Sequence, residues 1–179
     1  LTVPARTSVR PSLVLGVDPG TAVTGYGIVS ADSRGWHTLV ECGVIRTSAK
    51  EPLPQRLVDI YDGIAELIAR HRPDRVAVES VFYARNVRTT IVLGHARGVI
   101  LLAAAKAGVD IDEFPPAEIK KAIVGTGAAS KEQVQFMVTK ILRLKQAPQP
   151  ADAADGVAAA LCSCMAPRML RPLPIAASK

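Results

Sequence analysis

Cysteine, histidine and aromatic side chains are all scarce in this chain. Its three cysteines, Cys42, Cys162 and Cys164, form no even-numbered set, and nothing in the 179 residues resembles a secretory signal. That pattern excludes a disulfide scaffold and reads as reduced, structural thiols in a cytoplasmic protein. Cys162 and Cys164, two apart on a predicted helix, point to different sides and make a poor metal pair. His37, His71 and His95 are scattered, which argues against a zinc site and against Ser-His-Asp or Cys-His catalysis. No apolar run approaches the roughly 20 residues of a membrane span. There is no internal repeat. The stretch Gly125-Thr126-Gly127-Ala128-Ala129-Ser130-Lys131 invites a phosphate-loop reading but follows a predicted helix with the wrong spacing. It reads instead as a turn whose amides and Lys131 can touch phosphate, with Ser130 capping the next helix.

What the chain does have is a core and a positive charge. Hydrophobic residues make up 49%, and the length suits one domain. The net charge is +6, and from Ser80 to Lys145 ten Lys/Arg face five Asp/Glu. A basic middle third favours a polyanionic partner, although a solvated mixed surface explains it as simply.

Read for elements, the sequence predicts a flexible lead-in over 1–12, one domain over 13–166 and a flexible tail over 167–179 with three prolines. Leu13 to Asp18 is a short apolar strand stopped by Pro19-Gly20. Gly25 to Ser30 and Thr38 to Arg46 are two more strands. Leu57, Ile60, Tyr61, Ile64, Leu67 and Ile68 mark an amphipathic helix ending near Arg72-Pro73. Arg75 to Glu79 and Val109 to Phe114 complete five strands, separated by an apolar helix over Thr89 to Ala107. Helices follow near 117–124, 131–144 and 151–164. Three early strands followed by alternating helices and strands predict an α/β fold with a mixed sheet and helices on its faces.

Four acids stand out by position. Asp18 ends the first apolar strand, and Glu79 ends the fourth. Asp152 and Asp155 are three apart, so a helix presents both on one side. An Asp-Pro-Gly alone is usually a turn, a strand-end acid usually surface, and an acid in a first helical turn usually a cap. Four acids converging from three elements would instead repel one another and require divalent cations. Hard oxygen ligands of this kind suit Mg²⁺ or Mn²⁺, which in pairs clamp both oxygens of a phosphodiester under attack. Glu79 is followed at once by Phe82, Tyr83, Arg85 and Arg88. Adjacent aromatics beside two arginines can stack bases and hold phosphate; a core Phe beside a basic turn is the plainer reading. Lys120, Lys121 and Lys131 supply further positive charge, and each taken singly reads as solvated.

The runs Leu15-Gly16-Val17-Asp18-Pro19-Gly20, Thr24-Gly25-Tyr26-Gly27, Glu79-Ser80-Val81-Phe82, Leu93-Gly94-His95-Ala96-Arg97-Gly98-Val99 and Asp152-Ala153-Ala154-Asp155 resemble the bacterial RuvC family. The likeness runs from about Leu13 to Met165 in the family's order. It implies an RNase H-like fold and a homodimeric, metal-dependent endonuclease that resolves four-way DNA junctions, leaving 5′-phosphate and 3′-hydroxyl ends. By the same resemblance, Asp18, Glu79, Asp152 and Asp155 hold two Mg²⁺ per subunit, with Mn²⁺ able to substitute and Asp18 bridging; of Asp152 and Asp155, both are ligands, or one is a ligand and the other positions the water. Lys120 and Lys131 stabilise charge at the scissile phosphate, Lys121 is a phosphate contact or solvent-exposed, and Phe82 stacks on unpaired bases. Partners implied are junction DNA, a second copy, and a RuvA–RuvB branch-migration machine. The helix over Thr89 to Ala107 is the expected dimer face.

Other classes remain in view. A related RNase H-like nuclease acting on RNA shares the same site. Asp18-Pro19-Gly20-Thr21 with Gly25 is also similar to the first phosphate motif of actin-like sugar kinases, which need two such domains to enclose ATP. A junction-binding module without catalysis would have no reason to keep all four acids.

Overall fold

The computed structural model of the chain describes residues 10–80 and 87–166. Chain order is β1 (Ser12–Asp18), β2 (Val23–Ala31), β3 (His37–Arg46), α1 (Leu53–His71), β4 (Arg75–Glu79), α2 (Val87–Lys106), β5 (Asp110–Phe114), α3 (Pro116–Val124), α4 (Lys131–Ile141) and α5 (Ala151–Met165). The strands form one sheet in the order β3-β2-β1-β4-β5. β1–β2 and β2–β3 are antiparallel and joined by short turns, whereas β1–β4 and β4–β5 are parallel and reached through helices. The expected mixed five-stranded sheet is therefore what forms.

β1 is the central strand, and its residues Val14 to Val17 are fully covered on both sides. On one face α5 lies against β1 and β2, with α3 and α4 outside it. That core includes Val14, Val29, Ile119, Val138, Val157 and Leu161. On the other face α1 and α2 pack over Leu15, Val17, Ile28, Val76 and Val78.

Several starts and stops follow from local chemistry. Arg72 takes a left-handed φ of 50° to end α1, and its amide bonds Ile68 O. Pro115 and Pro116 open α3: Pro115 is the N-cap and Pro116 the first helical residue. A proline there gives up an amide that no helix would have used. Ser130 caps α4 in a full capping box with Gln133, as its sequence predicts.

Two sequence readings need correction. α2 spans 20 residues and is, by length and composition, apolar enough to cross a membrane, with 22% of its most apolar window buried. This overturns the expectation of no apolar run near that length: Arg88, His95 and Arg97 interrupt the helix without making it polar. Arg97 pairs with Glu113 of β5, and α2 packs on α1, which fits a helix lying on the sheet. The second correction concerns α5. Its N-cap is Pro150, with no side-chain cap, so neither Asp152 nor Asp155 caps the helix.

α5 approaches the sheet at backbone contact. A Cβ on Gly16 would lie 2.2 Å from Gly156 O, one on Gly27 2.3 Å from Val157 Cγ2, and one on Gly156 2.6 Å from Tyr26 Cα. Glycine on both surfaces removes the side-chain layer that normally separates a helix from a sheet. At the far end of α5, Ser163 Oγ donates to Asp112 Oδ2 at 2.6 Å and accepts from Arg75 Nε at 3.2 Å. This buried ion pair pins α5 to β4 and β5.

Candidate active site

Asp18 and Glu79 end adjacent parallel strands, one residue beyond the paired Val17 and Val78. Burial of both strands as central members delivers both carboxylates to the same end of the sheet, where open α/β sheets place ligands. Thr24 Oγ1 donates to Gly20 O at 2.6 Å and fixes the turn after Asp18. α5 begins at this same end, bringing Asp152 and Asp155 over β1 and β2.

Asp18, Glu79, Asp155, Lys120 and Lys131 line one cleft of about 230 Å³, walled by Ile119, Val134 and Ala158. The apolar walls belong to α3, α4 and α5, elements far apart in sequence. Asp152 does not line this cleft, yet it stands near enough to act on the charge of Asp18. Lys131 Nζ bonds Asp155 Oδ2 at 2.8 Å, with the lysine side chain 68% exposed and the aspartate 15%.

The electrostatics show how crowded the acids are. Burial, and then repulsion by Glu79 and Asp155, pushes the Asp18 carboxyl up from 3.8 to about 7, against some relief from Lys131. Burial and Asp155 also raise Glu79, partly offset by Lys131 and Lys120. The hydrogen bond to Asp155 raises Lys131, which keeps its ammonium charged. Acids that repel each other in a partly dry cleft are a poor structural arrangement and a good cation site. The donor set, carboxylate oxygens alone, suits a hard divalent ion. As the side chains stand, no three acids or other ligating groups among the described residues close into a ready-made cage. Lys131 meanwhile occupies one Asp155 oxygen.

The other expected residues divide. Lys121 is exposed on α3 and does not line the cleft. Arg88 is exposed in the first turn of α2. Phe82, Tyr83 and Arg85 lie outside the described residues. Sequence reasoning missed the apolar walls Ile119 and Val134, and the glycines that seat α5. The Gly-x-Gly at 25 and 27 within a strand was the available signal, since a bare position in a strand often marks a close approach.

A family model described as "Crossover junction endodeoxyribonuclease RuvC" matches residues 14–163. This chain belongs to the RuvC family. A RuvC from Pelotomaculum thermopropionicum is 49% identical over 150 residues, 84% of this chain and 91% of that one. The structure of RuvC from Thermus thermophilus superposes with a TM-score of 0.82 at 38% identity, covering 91% of this chain and 99% of that one. The same T. thermophilus protein in complex with a Holliday junction substrate gives a TM-score of 0.81 at 36% identity, covering 90% and 99%. The sheet order and flanking helices described above are thus those of RuvC, an RNase H-like nuclease fold. The alignment spans β1 through α5, so all four acids and both cleft lysines fall within the RuvC match.

Proposed function

We propose that this chain resolves four-way DNA junctions by metal-dependent hydrolysis of one phosphodiester in each of two symmetric strands. The observation that carries the reading is the cleft in which Asp18, Glu79 and Asp155 face Lys120 and Lys131. Its acids call for cations, and its lysines call for a polyanion.

Asp18, Glu79, Asp152 and Asp155 would hold the ions, two Mg²⁺ in our reading, with Mn²⁺ able to replace them. When bound, the ions supply Lewis-acid stabilisation and an activated water. Asp18 sits centrally enough to serve both positions. Lys120 and Lys131 hold the phosphate and meet the charge that develops on it, an arrangement worth about 10²–10³ in rate per donor in comparable sites. The walls Ile119 and Val134 exclude bulk water from one side and so strengthen each of these interactions. Arg88, Lys121 and the residues Phe82, Tyr83 and Arg85 would bind the DNA around the crossover.

Two symmetric cuts need two sites, which a C₂ dimer provides. α2 supplies a self-complementary stripe: Val87, Ile91, Gly94, Gly98 and Leu102 recur at spacings of four, three, four and four. Val87, Ile91 and Leu102 are 75%, 55% and 51% exposed, and no atom among the described residues would meet a Cβ on either glycine. A second α2 laid on this stripe could come very close. Gly98→Arg should turn a sedimenting dimer into a monomer; a monomeric parent at micromolar concentration contradicts the assignment. We further place the protein in the bacterial cytoplasm, at the nucleoid when active, working with a RuvA–RuvB branch-migration complex.

The test is cleavage of a labelled synthetic four-way junction beside matched duplex and RNA–DNA hybrid, with Mg²⁺ or Mn²⁺. Paired symmetric nicks in the junction alone, absent from Asp18→Asn, support the reading. Binding without nicking overturns catalysis, and cutting of the hybrid moves the chain to an RNA-directed role.

A further inference from the structure

Gly25 lies between two of the acids, seven residues from Asp18 and far from Asp152 in sequence. In the β1–β2 ladder it is the cross-strand partner of Asp18. A Cβ built on it would fall 1.8 Å from the carbonyl oxygen of Asp152 and 2.5 Å from its carbonyl carbon. Carbon and its neighbours ordinarily rest about 3.5–4 Å apart, so even one methyl group would have to part β2 from α5 by roughly 1–2 Å. The obstacle is main chain, and no rotamer can move it aside. β2 is held on both edges by β1 and β3, so the helix start is the part that gives way. Asp152 and Asp155 would move with it.

Gly27 and Gly16 make comparable approaches to α5, against Val157 and against Gly156 and Ala160. Those contacts lie further along the helix. Gly25 is the one at the first turn, against Asp152 itself.

We propose that Gly25 is a positioning residue for the metal site: lacking a side chain, it fixes the spacing between Asp18 and the acids of α5, and so sets the affinity for the divalent cation. The inference rests on the reading that these acids bind metal. Divalent ions of the Mg²⁺ type tolerate little error in ligand distance, and misplacements of about 1 Å in a catalytic site cost about 10² in rate. Gly25 touches neither ion nor substrate; it acts through Asp152 and Asp155.

The test compares Gly25→Ala with Gly27→Ala, whose Cβ would lie 2.3 Å from Val157 Cγ2, five residues beyond Asp152. Mn²⁺ affinity is read by water-proton relaxation on the full chain, alongside thermal midpoint, nicking, and junction binding without divalent ions. The expected result is a loss of thermal stability in both variants, but a tenfold or greater loss of Mn²⁺ affinity in Gly25→Ala alone. Its junction binding stays within a few fold of wild type, and its nicking recovers partly at high Mn²⁺. Equal Mn²⁺ affinity in wild type and Gly25→Ala, or equal losses in both variants, overturns the proposal. A wild type that binds no Mn²⁺ overturns the metal reading itself, and with it this refinement.

Should Gly25→Ala not fold, wild-type hydrogen exchange decides the matter. If Gly25 seats the helix, the amides of Ala154 to Val157 are protected before Mn²⁺ arrives and change less than threefold when it is added. A tenfold gain in protection on adding Mn²⁺ means that the ion, not the glycine contact, orders the acids, and the proposal fails.

Discussion

Lys131 Nζ lies 2.8 Å from Asp155 Oδ2, joining the first residue of α4 to the start of α5 across the mouth of the cleft. The bond places an ammonium among carboxylates and lowers the pull toward protonation on Asp18 and Glu79. It also holds an oxygen that a cation would use. A lysine so placed can release Asp155 to an ion and turn to phosphate.

Replacing it separates binding from chemistry. Lys131→Ala should lower single-turnover nicking by about 10²–10³, the range for losing one donor to developing charge. Junction affinity should fall only a few fold, because one phosphate contact among many is lost. Gel-shift and nicking assays on one preparation check both; matched losses in the two would make Lys131 a binding residue only.

Asp18→Asn should abolish nicking and yet stabilise the metal-free fold. Asp18 is held near three other acids, and an amide removes one partner from each repulsion. In EDTA at pH 8 the variant should exceed wild type by about 1–3 kcal/mol in urea unfolding, a trade of stability for function common at such sites. A less stable variant would mean that Asp18 has a structural role the geometry does not reveal.

The pH dependence has a definite sign. The Asp18 carboxyl is raised from 3.8 to about 7 in the folded chain. Below pH about 4 both folded and unfolded chains hold this proton. Between about 4 and about 7 the unfolded chain releases it while the folded chain keeps it. Metal-free stability from this group is therefore lost as pH rises through that window, by up to about 4 kcal/mol, and then levels off. Raised Glu79 acts in the same direction. Mn²⁺ should flatten the slope, and its apparent affinity should climb as pH approaches about 7. Thermal midpoints in EDTA and in Mn²⁺, for wild type and Asp18→Asn, measure the Asp18 share as the difference.

At the opposite end of α5, Asp112→Ala should be costly for stability and neutral for chemistry. It would strand the Arg75 guanidinium, whose side chain is 10% exposed, and leave Ser163 Oγ without its acceptor. Removing one partner of a buried pair costs about 3–5 kcal/mol. Nicking per folded molecule should not change. A specific loss of nicking in protein shown to be folded would tie this end of α5 to the active site.

Ser130→Ala removes the cap of α4 and should cost about 1 kcal/mol. Because Lys131 is the next residue, fraying there should loosen its bond to Asp155 and lower nicking by a few fold. Ser130→Asp, which can still cap, should restore stability.

The sequence alone determined the parts of this protein that depend on local patterning. An apolar run ending in an acid is legible because a buried strand and its solvent-facing end differ in composition, and this marked both Asp18 and Glu79. The 3.6-residue spacing of Leu57, Ile60, Ile64, Leu67 and Ile68 marked α1, and Ser130 with Gln133 marked the start of α4. The spacing of Asp152 and Asp155 placed them on one helical face. Tertiary structure decided the rest. Whether a first-turn aspartate caps its helix depends on the backbone before it, and Pro150 took that position. Which walls close the cleft depends on how α3 and α4 dock, and no periodicity in Ile119 or Val134 encodes a neighbour far along the chain. Above all, the separation of the acids depends on how closely α5 can approach the sheet. Glycines at 16, 25, 27 and 156 permit that approach, through close contacts that exist only after residues more than a hundred positions apart have met.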